Sequence, residues 1–165
     1  MATSMKNLSD YDPDIVPSAR GMQIGIVVSE WNHDITDNLL QGAIDTLIRQ
    51  HSDKDHITIK HVPGSFELTS GAKMLANTGK FHGIICLGCI IRGETPHFDY
   101  ISSSVTQGIT LLNAQYHIPF IFGVLTVNTL QQAKERAGGK YGNKGDEAAI
   151  TAIKMISLQK DISKG

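Results

Sequence analysis

The amino-acid sequence predicts an α/β fold, a three-layer α/β/α sandwich built on a four-stranded parallel sheet. Two observations support this prediction. Short apolar runs of strand length alternate along the chain with segments whose apolar residues recur at helical spacing. Such alternation favours parallel strands joined by right-handed crossovers, which place helices on both faces of one sheet. With 165 residues, the chain is expected to form one main domain, residues 21–165, preceded by an N-terminal arm, residues 1–20.

Each predicted strand is a short apolar run. The four runs are MQIGIVVS (22–29), ITIKHV (57–62), GIICLGCII (83–91) and IPFIFGVLTV (118–127). The third run contains the only two cysteines, Cys86 and Cys89, at the CxxC spacing often found in redox and metal sites. On a strand, side chains three residues apart point to opposite faces. The pair is therefore predicted to be buried and to form neither a disulfide nor a shared metal site.

Helices are predicted between the strands and after the last one. The second helix is expected over residues 65–77, with Gly79 as its stop. Thr129 followed by Gln132 matches a capping box and predicts a short helix ending at Gly138 and Gly139. A last amphipathic helix is predicted from about residue 146 to residue 160. The first and third helices are predicted from apolar faces formed by Ile35, Leu39, Leu40, Ala43 and Leu47, and by Ile101, Val105, Ile109 and Leu112.

The composition argues against two classes of partner. Hydrophobic residues make up 41% of the chain, and no apolar run approaches the ~18 residues that a membrane span needs. The formal net charge is −1 without a basic run, so nucleic acid is not an expected partner. The first twenty residues are polar and lack the basic start and apolar stretch of a secretory signal, which predicts a cytoplasmic location.

In open parallel sheets, ligands bind beyond the carboxyl ends of the strands, near the point where strand order reverses. Trp31 follows the first strand directly, where an indole either stacks on a planar ring or packs as a partly buried anchor. The segment VPGSFE (62–67) turns sharply into a helix. Its Ser65 and Glu67 are suited to ligand hydroxyl groups, but they equally suit a helix cap and the helix dipole.

The segment IRGETPHFDY (91–100) follows the third strand. Gly93, Glu94 and Thr95 form the turn into a helix, whose free N–H groups can hold a phosphate. His97 lies one residue beyond Pro96, and imidazole is the side chain that titrates nearest physiological pH. A histidine beside a phosphate ester is suited to proton transfer, although most histidines are simply solvated or packed.

Near the C-terminus, ERAGGKYGNKGDE (135–147) carries Arg136 and Lys144, which are suited to an anionic ligand. The same residues also fit a helix C-cap, with Arg136 facing the negative end of its helix. The segment does not match the Walker A pattern, and no G-x-G-x-x-G occurs in the chain. Nucleoside triphosphates and dinucleotides are therefore not expected ligands.

Taken together and in order, five segments resemble the lumazine synthase family of riboflavin biosynthesis. They are GIVVSEWNHDIT, VPGSFE, LGCIIRGETPHFDY, IFGVLT and ERAGGKYGNKGDEAA, which span about residues 21–155. The resemblance implies a flavodoxin-like fold. It also implies a transferase that condenses 5-amino-6-(D-ribitylamino)uracil with 3,4-dihydroxy-2-butanone 4-phosphate to 6,7-dimethyl-8-ribityllumazine, phosphate and water. The steps move protons and require no metal or redox cofactor.

The resemblance also implies roles for individual residues. In the aminopyrimidine site, Trp31 would stack on the ring, Ser65, Phe66 and Glu67 would hold the ribityl chain and ring, and Cys89, Ile90 and Ile91 would flank the ring with backbone groups. Phe122 would come from a neighbouring subunit. Glu94, Thr95 and Arg136 would bind the phosphate, His97 would transfer protons, and Lys144 with Glu147 would form a supporting charged pair.

For assembly, the resemblance implies a homopentamer with sites between neighbours, a shell of twelve pentamers in some relatives, and riboflavin synthase as a candidate partner. The short glycine-rich turn 138–145 favours the shell, and NLSDYDPDIVP could add an arm to a neighbour's sheet. Many relatives carry phenylalanine at the position of Trp31, and the larger indole suits a larger ring system. Weak riboflavin binding is therefore a further hypothesis. The alternative function is a catalytically silent flavin-binding or storage-shell protein.

Overall fold

The structure is a computed structural model that describes residue 7 and residues 9–164. Its main sheet has four parallel strands in the order β2-β1-β3-β4. This confirms the predicted sheet, and the first and last strands begin two residues later than predicted. The strands are β1 (Ile24–Ser29), β2 (Ile57–Val62), β3 (Gly83–Ile91) and β4 (Phe120–Val127).

Helices cover both faces of the sheet, which confirms the three-layer flavodoxin-like architecture. Buried residues of α1 and α5 form a core cluster on one face, and buried residues of α2 and α3 form a second cluster on the other. The predicted apolar faces are buried, except that Leu40 and Ile101 are only partly covered. The helices are α1 (His33–Arg49), α2 (Leu68–Ala76), α3 (His97–Gln115), α4 (Leu130–Glu135) and α5 (Lys144–Lys164).

The two cysteines lie as predicted. Cys86 belongs to the core cluster under α2 and α3, whereas Cys89 belongs to the cluster under α1 and α5. Both thiols are free and buried, and burial raises the pKa of each to about 12. They are therefore protonated at neutral pH and act as small apolar residues of the strand.

Three local details differ from the sequence prediction. The last helix runs over Lys144–Lys164, two residues earlier and four residues later than predicted. The helix predicted from residue 65 begins as a 3₁₀ turn, Ser65–Glu67, which leads into α2. Gly138 and Gly139 lie in an antiparallel hairpin of β5 (Ala137–Gly139) and β6 (Gly142–Asn143), beyond the end of α4. Gly138 has φ +100° and Gly142 has φ +79°, which non-glycine residues rarely adopt. Strands of two and three residues carry too little periodicity to be read from sequence.

The predicted cap of α4 is half confirmed. The Thr129 side chain accepts a hydrogen bond from the Gln132 N–H at 3.2 Å, as in a capping box. The Gln132 side chain accepts instead from the N–H of Asn128, one residue further upstream. The helix is therefore held at both Asn128 and Thr129, the residues that follow β4.

Residues before β1 pack on the body of the same chain. Val16 and Ala19 are buried in the core cluster under α1 and α5, and the Ala19 N–H donates to the Gln50 carbonyl at 2.7 Å. The Ser9 hydroxyl donates to Asp146 at 2.5 Å. Residues 1–6 and 8 of the predicted arm, and residue 165, lie outside the described residues. In the described part of the chain, no helix is long and apolar enough to cross a bilayer.

Candidate active site

A cleft of about 530 Å³ opens beyond the carboxyl ends of β1 and β3. These are the strands at which the chain changes direction across the sheet, since β2 lies on one side of β1 and β3 on the other. Sheets of this topology bind ligands at that position. The cleft brings together nine of the predicted site residues, namely Trp31, Ser65, Phe66, Glu67, Cys89, Ile90, Ile91, Thr95 and His97.

The 3₁₀ turn before α2 is fixed from both sides. The Gly64 N–H donates to the Glu67 carboxylate at 3.0 Å, which closes the turn. Ser65 is buried over β3, where a Cβ on Gly88 would lie 2.7 Å from the Ser65 hydroxyl oxygen. The absence of a side chain at Gly88 therefore makes room for Ser65. The Ser29 hydroxyl is also buried within 3.5 Å of the same point, and it has no hydrogen-bond partner among the described residues.

The loop after β1 presents an aromatic side chain to the cleft. Trp31 is 74% exposed, so within this chain it is not a buried anchor. The Trp31 backbone N–H donates to the Pro63 carbonyl at 3.0 Å, which ties the loop to the neighbouring turn. Asn32 has φ +62°, and its side-chain amide donates to the Cys89 carbonyl at 2.9 Å. Together with Phe66, which is also exposed, Trp31 forms a wall suited to a flat ring.

The turn between β3 and α3 is open to solvent. Residues 92–97 are all exposed, and α3 begins at His97 with Pro96 at the N-cap position. No side chain caps this helix, so its first N–H groups are available to an anion. Thr95 and His97 line the cleft, whereas Glu94 lies outside its lining.

The remaining predicted residues do not line the cleft of the same chain. Phe122 lies in the middle of β4, opposite Cys86, and is partly buried under α2 and α3. Arg136 ends α4, and its guanidinium carbon is 5.9 Å from the Tyr141 ring centre. Lys144 and Glu147 form a half-buried ion pair at 2.6 Å. The ion pair fits the predicted pairing, but its part in a reaction stays a prediction.

Sequence reasoning missed three lining residues that it had the means to find. Asn32 directly follows Trp31, so the same argument from the end of β1 applies to it. Phe98 and Ile101 follow His97 by one and four positions, and they therefore belong to the first turns of the helix that carries it.

Comparison with known proteins identifies the family. The profile described as 6,7-dimethyl-8-ribityllumazine synthase matches residues 21–160. The chain belongs to this family. A relative named 6,7-dimethyl-8-ribityllumazine synthase in Parabacteroides distasonis is 60% identical over 96% of this chain and 99% of its own length. Relatives of the same name in Porphyromonas gingivalis and Phocaeicola vulgatus are each 55% identical, over 97% and 99% of this chain and over 99% and 98% of their own lengths.

The match places every segment of the cleft inside the lumazine synthase family region, since Trp31 and Ile101 both fall within residues 21–160. The lining of the cleft has two parts, here called its ends: the aromatic side chains Trp31 and Phe66 come from the segments after β1 and β2, and the turn with free N–H groups follows β3. Such an arrangement can hold a flat ring and an anionic group side by side. Among the described residues, no group of three or more His, Cys, Asp or Glu side chains is placed to hold a metal ion.

Proposed function

We propose that the chain condenses 5-amino-6-(D-ribitylamino)uracil with 3,4-dihydroxy-2-butanone 4-phosphate, giving 6,7-dimethyl-8-ribityllumazine, phosphate and water in riboflavin biosynthesis. The observation that carries the proposal is membership of the 6,7-dimethyl-8-ribityllumazine synthase family over residues 21–160. The two-ended cleft supports it independently, because this reaction joins an aromatic amine to a phosphate ester. Family membership does not favour the alternative of a catalytically silent flavin-binding or storage-shell protein.

The aromatic end of the cleft is proposed to bind the aminopyrimidine. Trp31 stacks on the ring, and Ser65, Phe66 and Glu67 hold the ribityl chain and the ring. The Gly64 N–H keeps one oxygen of the Glu67 carboxylate in place, which leaves the other available to substrate hydroxyl or N–H groups. The backbone groups of Cys89, Ile90 and Ile91 flank the ring.

The other end is proposed to bind the phosphate ester. Glu94 and Thr95 belong to the turn whose N–H groups face the phosphate, and Arg136 supplies a cation. The amine and ketone form an imine with loss of one water, phosphate leaves, and the ring closes with loss of a second water. His97, at the start of α3, moves protons in these steps. Holding both substrates together lowers the activation free energy by several kcal/mol through proximity.

A homopentamer with active sites between neighbouring subunits is proposed because the cleft of a single chain is incomplete. Arg136 and Phe122 do not line it, so a neighbour is expected to supply them together with the Lys144 and Glu147 pair. A neighbour's N-terminal arm is proposed to add to the edge strand β2, which requires Ser9 and Tyr11 to leave their contacts with Asp146 and Arg49 of their own chain. Twelve pentamers are proposed to form a shell, and a sedimentation profile with free pentamers alone would contradict the shell. Binding of riboflavin synthase and a cytoplasmic location stay predictions.

The decisive experiment follows phosphate release and lumazine absorbance with both substrates present. We expect phosphate release to depend strictly on the aminopyrimidine. Release that proceeds equally without it would contradict the proposed reaction. Both signals are measured in one reaction, so hydrolysis of the phosphate ester alone is distinguished from condensation.

Trp31 also offers a test of ligand size. It is the only tryptophan of the chain and is exposed in the cleft, so its fluorescence reports directly on stacking. We expect quenching by the lumazine product and weaker quenching by riboflavin. The absence of any quenching by riboflavin would remove the hypothesis that the pocket accepts the larger ring.

A further inference from the structure

We propose that Arg92 is a positioning residue for this reaction, because it clasps the first turn of α3 and so fixes His97 and the phosphate-binding turn relative to the sheet. The inference rests on the proposed function and adds to it a residue that takes part through its neighbours. Arg92 does not line the cleft, and it reaches the reaction only through the segment that follows it.

The backbone of Arg92 belongs to the rigid part of the molecule. Its N–H donates to the Val127 carbonyl at 2.8 Å, which continues the pairing of β3 and β4 one residue beyond the end of β3. The position of its Cα is therefore set by the sheet. Any group that the Arg92 side chain holds is placed relative to the same reference.

The Arg92 guanidinium makes three kinds of contact at once. It donates two hydrogen bonds to the Asp99 carboxylate, at 2.8 and 3.3 Å, in a bidentate ion pair. Its Nε donates to the Asn128 side chain at 3.2 Å. Its central carbon lies 4.1 Å from the centre of the Phe98 ring. One side chain thus joins the end of β4 to the first turn of α3.

The intervening turn has little else to hold it. Residues 93–97 are exposed, and a Cβ on Gly93 would have no neighbour within 4 Å. Among the described residues, the side chains of Glu94, Thr95 and His97 make no hydrogen bond, and no side chain caps α3. The Arg92–Asp99 pair closes this loop from its two ends and performs the restraint that a helix cap supplies elsewhere.

The chemistry of arginine matters to this role. A planar guanidinium can bind a carboxylate through two parallel hydrogen bonds while its face lies on an aromatic ring, which an ammonium group cannot reproduce. Because both partners are substantially exposed, the pair adds little to global stability. Its loss is expected to appear in the kinetics of the phosphate-bearing substrate.

The test compares Arg92→Met with the wild type, varying each substrate separately. We expect the KM for the butanone phosphate to rise about tenfold and kcat to fall about tenfold, since small misplacements of reacting groups are costly. The KM for the aminopyrimidine is expected to stay within about twofold, because the Arg92 side chain forms its hydrogen bonds and cation–π contact with Asn128, Asp99 and Phe98, and not with Trp31 or the 65–67 turn. Arg20→Met is the matched control, since Arg20 is exposed in the turn before β1, and it is expected to leave both KM values unchanged.

Two further variants separate positioning from direct binding of the phosphate by the Arg92 charge. Asp99→Ala leaves Arg92 charged and removes both acceptor oxygens of its partner, so direct binding predicts an unchanged or lower KM for the butanone phosphate. Positioning predicts that Asp99→Ala reproduces Arg92→Met. Arg92→Lys keeps the charge but loses the bidentate geometry, and full activity in this variant would overturn the proposal.

Other outcomes are equally decisive. If Arg92→Met raises both KM values by the same factor, or raises neither, Arg92 does not position the phosphate half of the site. If Arg92→Met does not fold, Asp99→Ala provides the same readout with the Phe98 and Asn128 contacts retained. A wild-type protein that forms no lumazine would contradict the proposed function itself, which is a different result from an active wild type with unaffected Arg92 variants.

Discussion

The two ends of the cleft are built in different ways. At the aromatic end, the hydrogen bond from the Gly64 N–H to the Glu67 carboxylate closes the 65–67 turn, and Ser65 and Leu68 are buried against β3. At the phosphate end, the 93–97 turn is exposed and uncapped, and it is held to the sheet through Arg92. The first end is anchored in the core through Ser65 and Leu68, whereas the second is a loop attached to the sheet.

This difference indicates whether a substitution at each end changes stability, the reaction, or both. Substitutions at the aromatic end alter packing, so they are expected to change stability together with binding of the aminopyrimidine. Substitutions in the phosphate turn remove few contacts, so they are expected to change the reaction while the free energy of unfolding stays nearly constant. The following variants test this separation, from the largest expected effect to the smallest.

His97→Ala should give the largest kinetic effect. Loss of general acid–base help typically costs about 10²–10⁴-fold in rate, and we expect kcat to fall within that range without reaching zero, because positioning of both substrates survives. Since His97 is exposed, the midpoint of urea unfolding should match that of the wild type. A folded variant with unchanged kcat would exclude His97 from proton transfer, and loss of folding would indicate a structural role.

Gly88→Ala should lower both the stability of the protein and the binding of the aminopyrimidine at the aromatic end. The added methyl group would lie 2.7 Å from the Ser65 hydroxyl oxygen and 2.9 Å from a Leu68 methyl carbon. Overpacking of this kind costs about 1–3 kcal/mol in the free energy of unfolding. Displacement of Ser65 should also raise the KM for the aminopyrimidine.

Gly93→Ala is the matched control at the phosphate end. A Cβ at Gly93 meets nothing within 4 Å, so the free energy of unfolding should stay within about 0.5 kcal/mol of the wild type. Chemical denaturation of both variants, with parallel measurements of the two KM values, gives the comparison. Equal destabilisation by Gly88→Ala and Gly93→Ala would show that the two ends are not built differently.

The same contrast explains what the sequence could predict. The sheet and the cleft were accessible because they depend on local signals: apolar runs, turn residues at strand ends, and the order of five motifs. The Glu67 to Gly64 contact was also within reach, since a glutamate three residues after a turn suits a helix start. The room that Gly88 makes for Ser65 was not, because it depends on how two distant segments pack.

Arg92 illustrates a second limit. Its position after β3 was visible in the sequence, but its partners Asp99 and Asn128 lie on two different elements. Charged residues at that spacing on a loop are common, and only three-dimensional contacts distinguish a clasp from a solvated side chain. The β5–β6 hairpin was missed for a similar reason, since its pairing depends on glycine backbone angles and carries no apolar pattern.

Glu67→Ala should produce a smaller loss at the aromatic end. It removes the acceptor of the Gly64 N–H, and such hydrogen bonds contribute about 0.5–1.5 kcal/mol to stability. We expect Glu67→Gln to be less destabilising, because the amide oxygen can still accept from Gly64, while both variants weaken aminopyrimidine binding. If Glu67→Ala unfolds at the wild-type urea midpoint, the 65–67 turn is held by packing alone.

The smallest effect concerns the pH dependence of stability. It arises at the amino ends of β1 and β3, away from the cleft at their carboxyl ends. The His82 Nδ1 accepts a hydrogen bond from the Gln23 backbone N–H at 2.7 Å, and the His82 backbone N–H donates to the Gln23 backbone carbonyl at 2.8 Å. Burial, followed by the nearby positive charges of Lys160 and His56, lowers the pKa of His82 below its usual 6.5. Protonation would remove the acceptor at Nδ1 and add a positive charge close to Lys160.

Because the folded state lowers the pKa of His82, the unfolded chain binds the proton more readily. The stability that His82 contributes is therefore fully present above the unfolded pKa of about 6.5 and is lost as pH falls through the lower folded pKa. Urea midpoints measured over this range should decline towards acid pH in the wild type and in His97→Ala alike. His82→Asn should decline less, since an amide oxygen can accept from Gln23 without titrating. If the urea midpoint of His82→Asn declines as much as that of the wild type, groups other than His82 cause the loss of stability at acid pH.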